Sequence, residues 1–525
     1  MLPWPAWKKP RNPDWIREFF FYHGHYEFDP SSERTKFCMT GVTTEDHTIL
    51  LELLGHDPYC YIKGPRSLHE AKDLINFWES RARATAHIYF GNKASWLLNR
   101  YLTKCRKWVI AVTEMKCEDL VEDRPWKRIE NCYKVSFVHP ALVKMLREYV
   151  LYCYGRESNP HIPQWAEKRN TEYNSWLLYE ANVDYVERVI ADRHFPPSSW
   201  FAISDKSTQT IILAEEQRMT YDRRAHRYDI WVNANITDIT PIKDDRALYA
   251  TRVLAYDIEA ENEDGDHMPR AASNEVLSIA VIAYRDGQEK NAKSFAFELG
   301  SCESAVDHLF IFDNDEALLN AFRTFVMRSG CDALAGHNAN GFDFPYLKER
   351  AKILELNQWD YQGPLQRPAK ITATKNKGFS KHNLVIPGLL SVDTMRVEQE
   401  TLGSRSLGLA DLALRYLGDM SKMDVHPDEL SRLQKSHEGR TKKHTYCVRD
   451  AVLVMRIEQA QKAIRASLNM SQLSVPIQTV LNRSQGAKGE GYIANVAAEA
   501  AMKTGIPKIM IVLSFMNRAL RDRPQ

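Results

Sequence analysis

Asp257 and Glu259 stand two residues apart at the end of the apolar run Val253-Leu254-Ala255-Tyr256. The run reads as a core strand. On an extended strand, residues i and i+2 point to the same face, so the two carboxylates project together. Carboxylates held side by side repel each other and resist desolvation, and a cation between them removes that penalty. The pair therefore suggests a divalent-metal site, for which Mg²⁺ or Mn²⁺ prefer such oxygen ligands. A solvated acidic strand end is the plain alternative.

Two further carboxylates have motif-like settings. Asp343 lies in Gly336-His337-Asn338-Ala339-Asn340-Gly341-Phe342-Asp343-Phe344-Pro345-Tyr346-Leu347, just ahead of Pro345, a residue favoured in a first helical turn. By itself it also reads as a helix cap followed by an aromatic core contact. Asp450 follows Tyr446 by four residues in Tyr446-Cys447-Val448-Arg449-Asp450, so the two share one helix face. A tyrosine beside a carboxylate is also common in cores. Taken together, the three motifs resemble the DEDDy type of 3′→5′ exonuclease, which hydrolyses phosphodiesters with two divalent ions about 3.5–4 Å apart. The resemblance implies roles. Asp257 would bridge both ions, Glu259 and Asp450 would complete the tighter site, and Asp343 would hold the second ion through water. Tyr446 would orient the attacking water. A sister type places a histidine five residues before the last aspartate. That position is Thr445 here, and His444 is one residue out of register, which selects the tyrosine version.

The elements that must carry these residues are legible in outline. Val253–Glu259 and Val276–Tyr284 read as strands, separated by the acidic loop Glu261-Asn262-Glu263-Asp264-Gly265-Asp266, either a cation recruiter or a solvated hairpin tip. A helix over Asp315–Ser329, a short strand at Ala333–Ala335, the segment Asn338–Arg350, a basic loop and helices from Gly408 onward follow. Strands first with helices packed around them predict an α/β domain, ribonuclease-H-like by resemblance, over 246–465. Residues 1–245 mix strands and helices in an α+β pattern. Phe37–Leu54 and Tyr59–Ile62 read as strands broken by Gly55-His56-Asp57-Pro58, and His69–Ala82, Pro140–Tyr152 and Tyr179–Asp192 read as helices. Residues 466–525 read as helical, with Ala497–Met502 the clearest apolar stretch.

Length and composition set the bounds. A chain of 525 residues exceeds one domain. Its hydrophobic fraction of 44%, charged fraction of 26% and net charge of +2 are those of a soluble globular protein, so any basic surface for nucleic acid is local. The nine cysteines are scattered singly with no C-x-x-C pair, which points to reduced thiols in an intracellular protein and away from a zinc site. No apolar stretch approaches the length of a membrane span.

The neighbours of the motifs widen the resemblance. Thr40-Gly41-Val42-Thr43, Gly55-His56-Asp57-Pro58-Tyr59-Cys60-Tyr61-Ile62 and Tyr179-Glu180-Ala181-Asn182-Val183-Asp184-Tyr185-Val186-Glu187-Arg188 are similar to the N-terminal domain of family B DNA polymerases, the delta-type and large DNA-virus enzymes. Gly388–Asp393, Leu407-Gly408-Leu409-Ala410-Asp411-Leu412 and Leu481-Asn482-Arg483-Ser484-Gln485-Gly486 resemble that family's later segments. Gly341 replaces the asparagine often found before Phe-Asp, and Val189 stands where phenylalanine is usual. The Ser-Leu-Tyr-Pro-Ser-like and Tyr-Gly-Asp-Thr-Asp-like palm motifs do not occur in the sequence. The expectation is thus a proofreading 3′→5′ exodeoxyribonuclease region, with residues 466–525 leading toward a palm that this chain lacks. A non-catalytic DNA-binding or assembly module of a split polymerase and a stand-alone DEDDy exonuclease are the competing readings.

The partner implied is DNA, as a frayed single-stranded 3′ end of a primer–template, with a separate polymerase polypeptide and a processivity factor as further partners. Single strands bind through backbone charge and aromatic stacking. Asn338, Phe342, Phe344, Lys375 and Lys377 are the candidate contacts. The loop from Arg367 to Lys381 reads either as the hairpin that separates primer from template in relatives or as a solvated surface loop. Lys442-Lys443-His444 reads as a weak basic patch or the solvated start of a helix.

Overall fold

The computed structural model describes residues 15–84, 86, 96–119, 128–153, 177–205, 207–211, 227–243, 246–262, 268–365, 367–376, 379–401, 406–418, 429–473, 475–482, 492–493, 496–498, 503 and 508–509. In the N-terminal half, one sheet is seven-stranded and built around Glu18–Asp29, a long aromatic strand that the sequence reading did not anticipate. The run Phe37–Leu54 is a hairpin and not one strand: Arg34–Thr43 pairs antiparallel with Thr48–Leu54. Asp46, at φ +65°, makes the turn. The expected helix at Tyr179–Asp192 begins later, at Tyr185, where Asp184 caps it by accepting the Val186 N–H at 2.8 Å. Tyr179 instead ends the strand Leu177–Tyr179 of a five-stranded sheet. Lys508–Ile509 joins that same sheet as a parallel edge partner of Val109–Asp119, so the C-terminal stretch is not uniformly helical. Residues 499–502 of the expected apolar helix lie outside the described residues.

The region that carries the motifs is an α/β unit, as expected. Its elements, numbered from its own start, are β1 (Arg252–Ala260), β2 (Val276–Arg285), β3 (Lys293–Leu299), β4 (His308–Phe312), α1 (Asp315–Ser329), β5 (Ala333–Gly336), α2 (Asp343–Ile353), β6 (Lys370–Asn376), β7 (Phe379–Val385), β8 (Leu390–Asp393), α3 (Thr394–Thr401), α4 (Leu409–Leu417) and α5 (His437–Gln461). Six strands form one sheet in the order β4-β3-β2-β1-β5-β8. β1, β2 and β3 run antiparallel, whereas β5 pairs parallel to β1 and β8 parallel to β5. β6 and β7 form a separate antiparallel hairpin from the basic loop.

β1 is central and covered on both faces, which explains its nearly unbroken apolar run. Leu254, Tyr256, Ile258 and Ala260 pack with α1 and α2 in one core. Val253 and Ala255 pack with Cys447, Ala451 and Val454 of α5 in the other. Local signals set the helix ends. Asn314 caps α1 by accepting the Ala317 N–H at 2.9 Å, and Gly330, at φ +67°, closes it. Ser436 caps α5 by accepting the Gly439 N–H at 3.0 Å.

A buried ion pair fixes the start of β1 to the start of β5. The Arg252 Nε and Nη2 donate to Asp332 Oδ2 and Oδ1 at 2.9 and 2.7 Å, and the Arg252 backbone N–H reaches the same carboxylate at 2.9 Å. Nη1 donates to the Asp46 carbonyl at 2.9 Å, tying the strand to the N-terminal hairpin. Removing one partner of a buried pair leaves a bare charge and costs about 3–5 kcal/mol. Asp332→Ala is therefore expected to lower unfolding free energy by that order in a urea titration, and the apolar double variant Arg252→Met/Asp332→Leu to recover most of it.

Candidate active site

Asp257 and Glu259 leave β1 on the face covered by α5, continuing the stripe of Val253 and Ala255. Asp257 is half-buried and Glu259 buried. The parallel pairing of β1 with β5 ends at Ala255 opposite Ala335, so beyond that point β1 has an open edge. Asp343 fills it: its carboxylate accepts the Ile258 backbone N–H as well as its own. The helix-cap reading of Asp343 is corrected here. Phe342 holds the cap position without a side-chain hydrogen bond, and Asp343 is the first residue inside α2.

The loop before α2 is held by Asp393 at the end of β8. Its carboxylate accepts the backbone N–H groups of Asn338 at 2.9 Å and Asn340 at 3.1 Å, together with those of Met395 and Arg396. Asn338 sits at φ +57°, a left-handed conformation. A Cβ at Gly341 would lie 2.5 Å from the Asn338 Oδ1, so the glycine leaves room for that amide. α5 brings Tyr446 and Asp450 to the same place. The Tyr446 hydroxyl donates to Asp450 one turn away, Asp450 acts on the Glu259 carboxyl, and Glu259 acts on the Tyr446 phenol.

The electrostatics are those of crowded acids. Burial raises the Glu259 carboxyl well above its usual range, and Asp450 and Asp343 add to the rise. Burial pushes Asp343 up to about 7, with Asp393 contributing. The Tyr446 phenol is raised by burial and by Asp450, Glu259 and Asp257, so it stays protonated. Cys447, which the sequence reading left without a role, sits one helical turn before Ala451 against Asp257. Ligand atoms of Asp257, Glu259 and Cys447 all lie within 4.8 Å of one another. Burial and the two carboxylates raise its thiol well above the usual range, so it is not a thiolate. What remains is an all-oxygen set of four carboxylates, the donor chemistry of hard cations such as Mg²⁺ or Mn²⁺. Their mutual repulsion is what such cations relieve, so the residues fit a divalent-metal site.

A second cluster lies behind the first. Glu298, Cys302 and His444 also converge within 4.8 Å. There the Glu298 oxygens are already filled by the Lys443 Nζ at 3.0 Å, by His444 Nδ1 at 2.9 Å and by Ser278 Oγ, which makes the cluster a buried ion-pair network. The sequence reading of Lys443 and His444 as a basic patch or solvated helix start is therefore corrected. Only Lys442 is solvent-exposed, and the helix begins earlier, at His437. The missed signal was their spacing, since Lys443 precedes Tyr446 by three and Asp450 by seven residues and so shares their helix face.

Of the candidate DNA contacts, Asn338 and Phe342 flank Asp343, and Phe342 is half-buried against Tyr346 with ring centroids 5.6 Å apart. Phe344 is 1% exposed and packs on Trp359, so it is a core residue and is not available to a base. Of Lys375 only the backbone, in β6, is described, and Lys377 lies outside the described residues. Residues 263–266 of the acidic loop do as well. No helix among the described residues is long and apolar enough to cross a membrane. The cysteines whose side chains are described are free and buried.

Residues 177–412 match the model of the DNA polymerase family B exonuclease domain, a span that holds Asp257, Glu259 and Asp343. The chain is 27% identical over 451 residues to a DNA polymerase delta catalytic subunit of Plasmodium falciparum, covering 84% of this chain and 38% of that protein. It is 25% identical over 464 residues to the Dictyostelium discoideum subunit, covering 85% and 39%, and 26% identical over 305 residues to an Epstein-Barr virus DNA polymerase catalytic subunit, covering 56% and 28%. It thus spans less than half the length of these relatives. The fold is similar to that of a family B DNA polymerase from Pyrobaculum calidifontis, with a TM-score of 0.61 at 18% identity over 93% of this chain and 51% of that one. Residues 177–412 are thus similar to the exonuclease domain of family B DNA polymerases, and three of the four clustered carboxylates lie within that span.

Proposed function

We propose that this chain removes nucleotides from the 3′ end of DNA by two-metal hydrolysis, the proofreading reaction of a DNA polymerase. One observation carries the reading: Asp257, Glu259, Asp343, Asp450 and Tyr446, from a strand and two helices distant in sequence, meet at one buried place. Asp257, Glu259, Asp343 and Asp450 would hold two Mg²⁺ or Mn²⁺ ions. Such ions supply a nucleophilic hydroxide and neutralise the charge that develops on the phosphate.

The protein's own contribution is positional. β1 presents Asp257 and Glu259 in fixed register, the Asp393 clamp sets where Asp343 enters, and α5 presents Tyr446 over the carboxylates. With its one O–H given to Asp450, Tyr446 would orient the attacking water through the acceptor lone pair of its phenol oxygen. The strand end would be gripped near Asn338 and Phe342, and backbone charge would be met by Lys375 and Lys377. Palm motifs do not occur in the sequence, so nucleotide incorporation is not part of the proposal for this chain. A processivity factor is a further partner that the reading would accommodate.

Asp257→Ala is expected to reduce Mg²⁺-dependent release of nucleotides from a single-stranded 3′-labelled DNA oligomer to background, and undiminished release would refute the assignment. Tyr446→Phe, which keeps every carboxylate, is expected to slow release by about a hundredfold at most. An RNA oligomer run alongside separates a DNA enzyme from an RNA one. For Asp343, the native state holds a proton up to about pH 7, whereas the ordinary value is 3.8. Between these values the native state binds more protons than the unfolded chain, so metal-free stability is expected to rise as pH falls from 8 toward 5. Saturating Mg²⁺, which requires the ionised carboxylate, is expected to flatten that rise in thermal melts, as is Asp343→Asn.

A further inference from the structure

Across three strands, Glu259 of β1 lies opposite Ser278 of β2, and Ser278 lies opposite Glu298 of β3. Directly opposed residues of antiparallel strands present their side chains on one face, and here that face is covered by α5. Lys443 of α5 reaches down to β2 and β3. Its ammonium and the Glu298 carboxylate are both fully buried. Nζ donates to Glu298 Oε2 at 3.0 Å and to the Leu277 carbonyl at 2.8 Å. The far side of Glu298 is closed by Ser278 and by His444, whose Nε2 in turn meets Ser304 Oγ at 2.7 Å.

A lysine is rarely fully buried without a charged partner, and holding one in the core serves the fold poorly where apolar residues would pack as well. Its position is informative. It lies on the stripe of α5 that holds Tyr446 and Asp450, over the sheet face that carries Glu259, and its charge opposes the rise that burial and Asp450 impose on the Glu259 carboxyl.

We infer that Lys443 is a tethered counter-cation of the carboxylate site, which offsets the acids while no metal is bound and weakens binding of the metal that takes over that task. Glu298 sets the strength of this effect by holding the ammonium back. The inference rests on the metal-site reading above. It follows from linkage: a group that stabilises the metal-free state relative to the metal-bound one lowers metal affinity.

The test uses the full chain with Lys443→Gln, which keeps donors but removes the charge, and Glu298→Gln. Mn²⁺ binding is read by electron paramagnetic resonance without DNA at pH 8, and melting temperature with and without saturating Mg²⁺. Lys443→Gln is expected to tighten Mn²⁺ binding and Glu298→Gln to weaken it, each by about tenfold. The loss of melting temperature in Lys443→Gln is expected to shrink when Mg²⁺ is added. A pair that serves only to hold α5 on the sheet would move both affinities the same way, and that result, or unchanged affinities, overturns the inference. A Lys443→Gln protein that folds only with Mg²⁺ supports it, and one that folds under neither condition overturns it. Wild-type protein that binds no Mn²⁺ overturns the metal-site reading itself, whereas wild-type binding with both variants at parity overturns the counter-cation alone.

Discussion

Four carboxylates are forced into one buried space, and the rest of the α/β unit is arranged to withstand their repulsion. Asp257 and Glu259 come from the central strand, Asp343 from the first turn of α2 and Asp450 from the middle of α5. In water these groups would separate. Here they are held by elements whose apolar faces are buried on both sides of the sheet. Burial stabilises those elements, and the acids are carried along at the edge of the core.

The restraints lie around the acids more than among them. Arg252 and Asp332 lock the beginning of β1 to β5, at the end of the strand away from the site. Asp393 gathers the backbone of the loop that leads into Asp343. Lys443 and Glu298 bind α5 to β2 and β3 behind Glu259. Each restraint is itself a buried charge satisfied by named partners, which is the condition under which buried charges are tolerated. The same set of contacts that builds the fold thus holds four carboxylates together, the donor set that hard cations prefer.

Similarity to DNA polymerase delta subunits extends over most of this chain but over less than two fifths of theirs. A shared part of that length exceeds the exonuclease match at 177–412. In this structure the N-terminal hairpin and the α/β unit are joined physically: Arg252 reaches the Asp46 carbonyl, and Arg285 pairs with the Asp46 carboxylate at 2.7 Å. The hairpin turn at Asp46 is therefore part of what positions the strand that carries Asp257 and Glu259.

The candidate ligands are legible in the chain's local patterns. Asp257 and Glu259 on an alternating strand, Asp343 before Pro345, and Tyr446 with Asp450 on one helix face are local patterns, set by backbone periodicity within a few residues. The α/β order of strands and helices followed from the same periodicities, and Asp315–Ser329 emerged with the expected ends because its caps are local. What faces what depends on contacts between segments far apart in the chain. Phe37–Leu54 read as one strand because its turn, at Asp46, carries no glycine or proline. Phe344 and Phe342 have the same side chain two residues apart, yet one is closed in the core and the other is half-open. Lys443 and His444 carry the marks of a solvated surface, and become interior because Glu298, far away in sequence, is brought beneath them. A charged residue announces its charge in sequence, but its burial depends on a partner that only the packed sheet supplies.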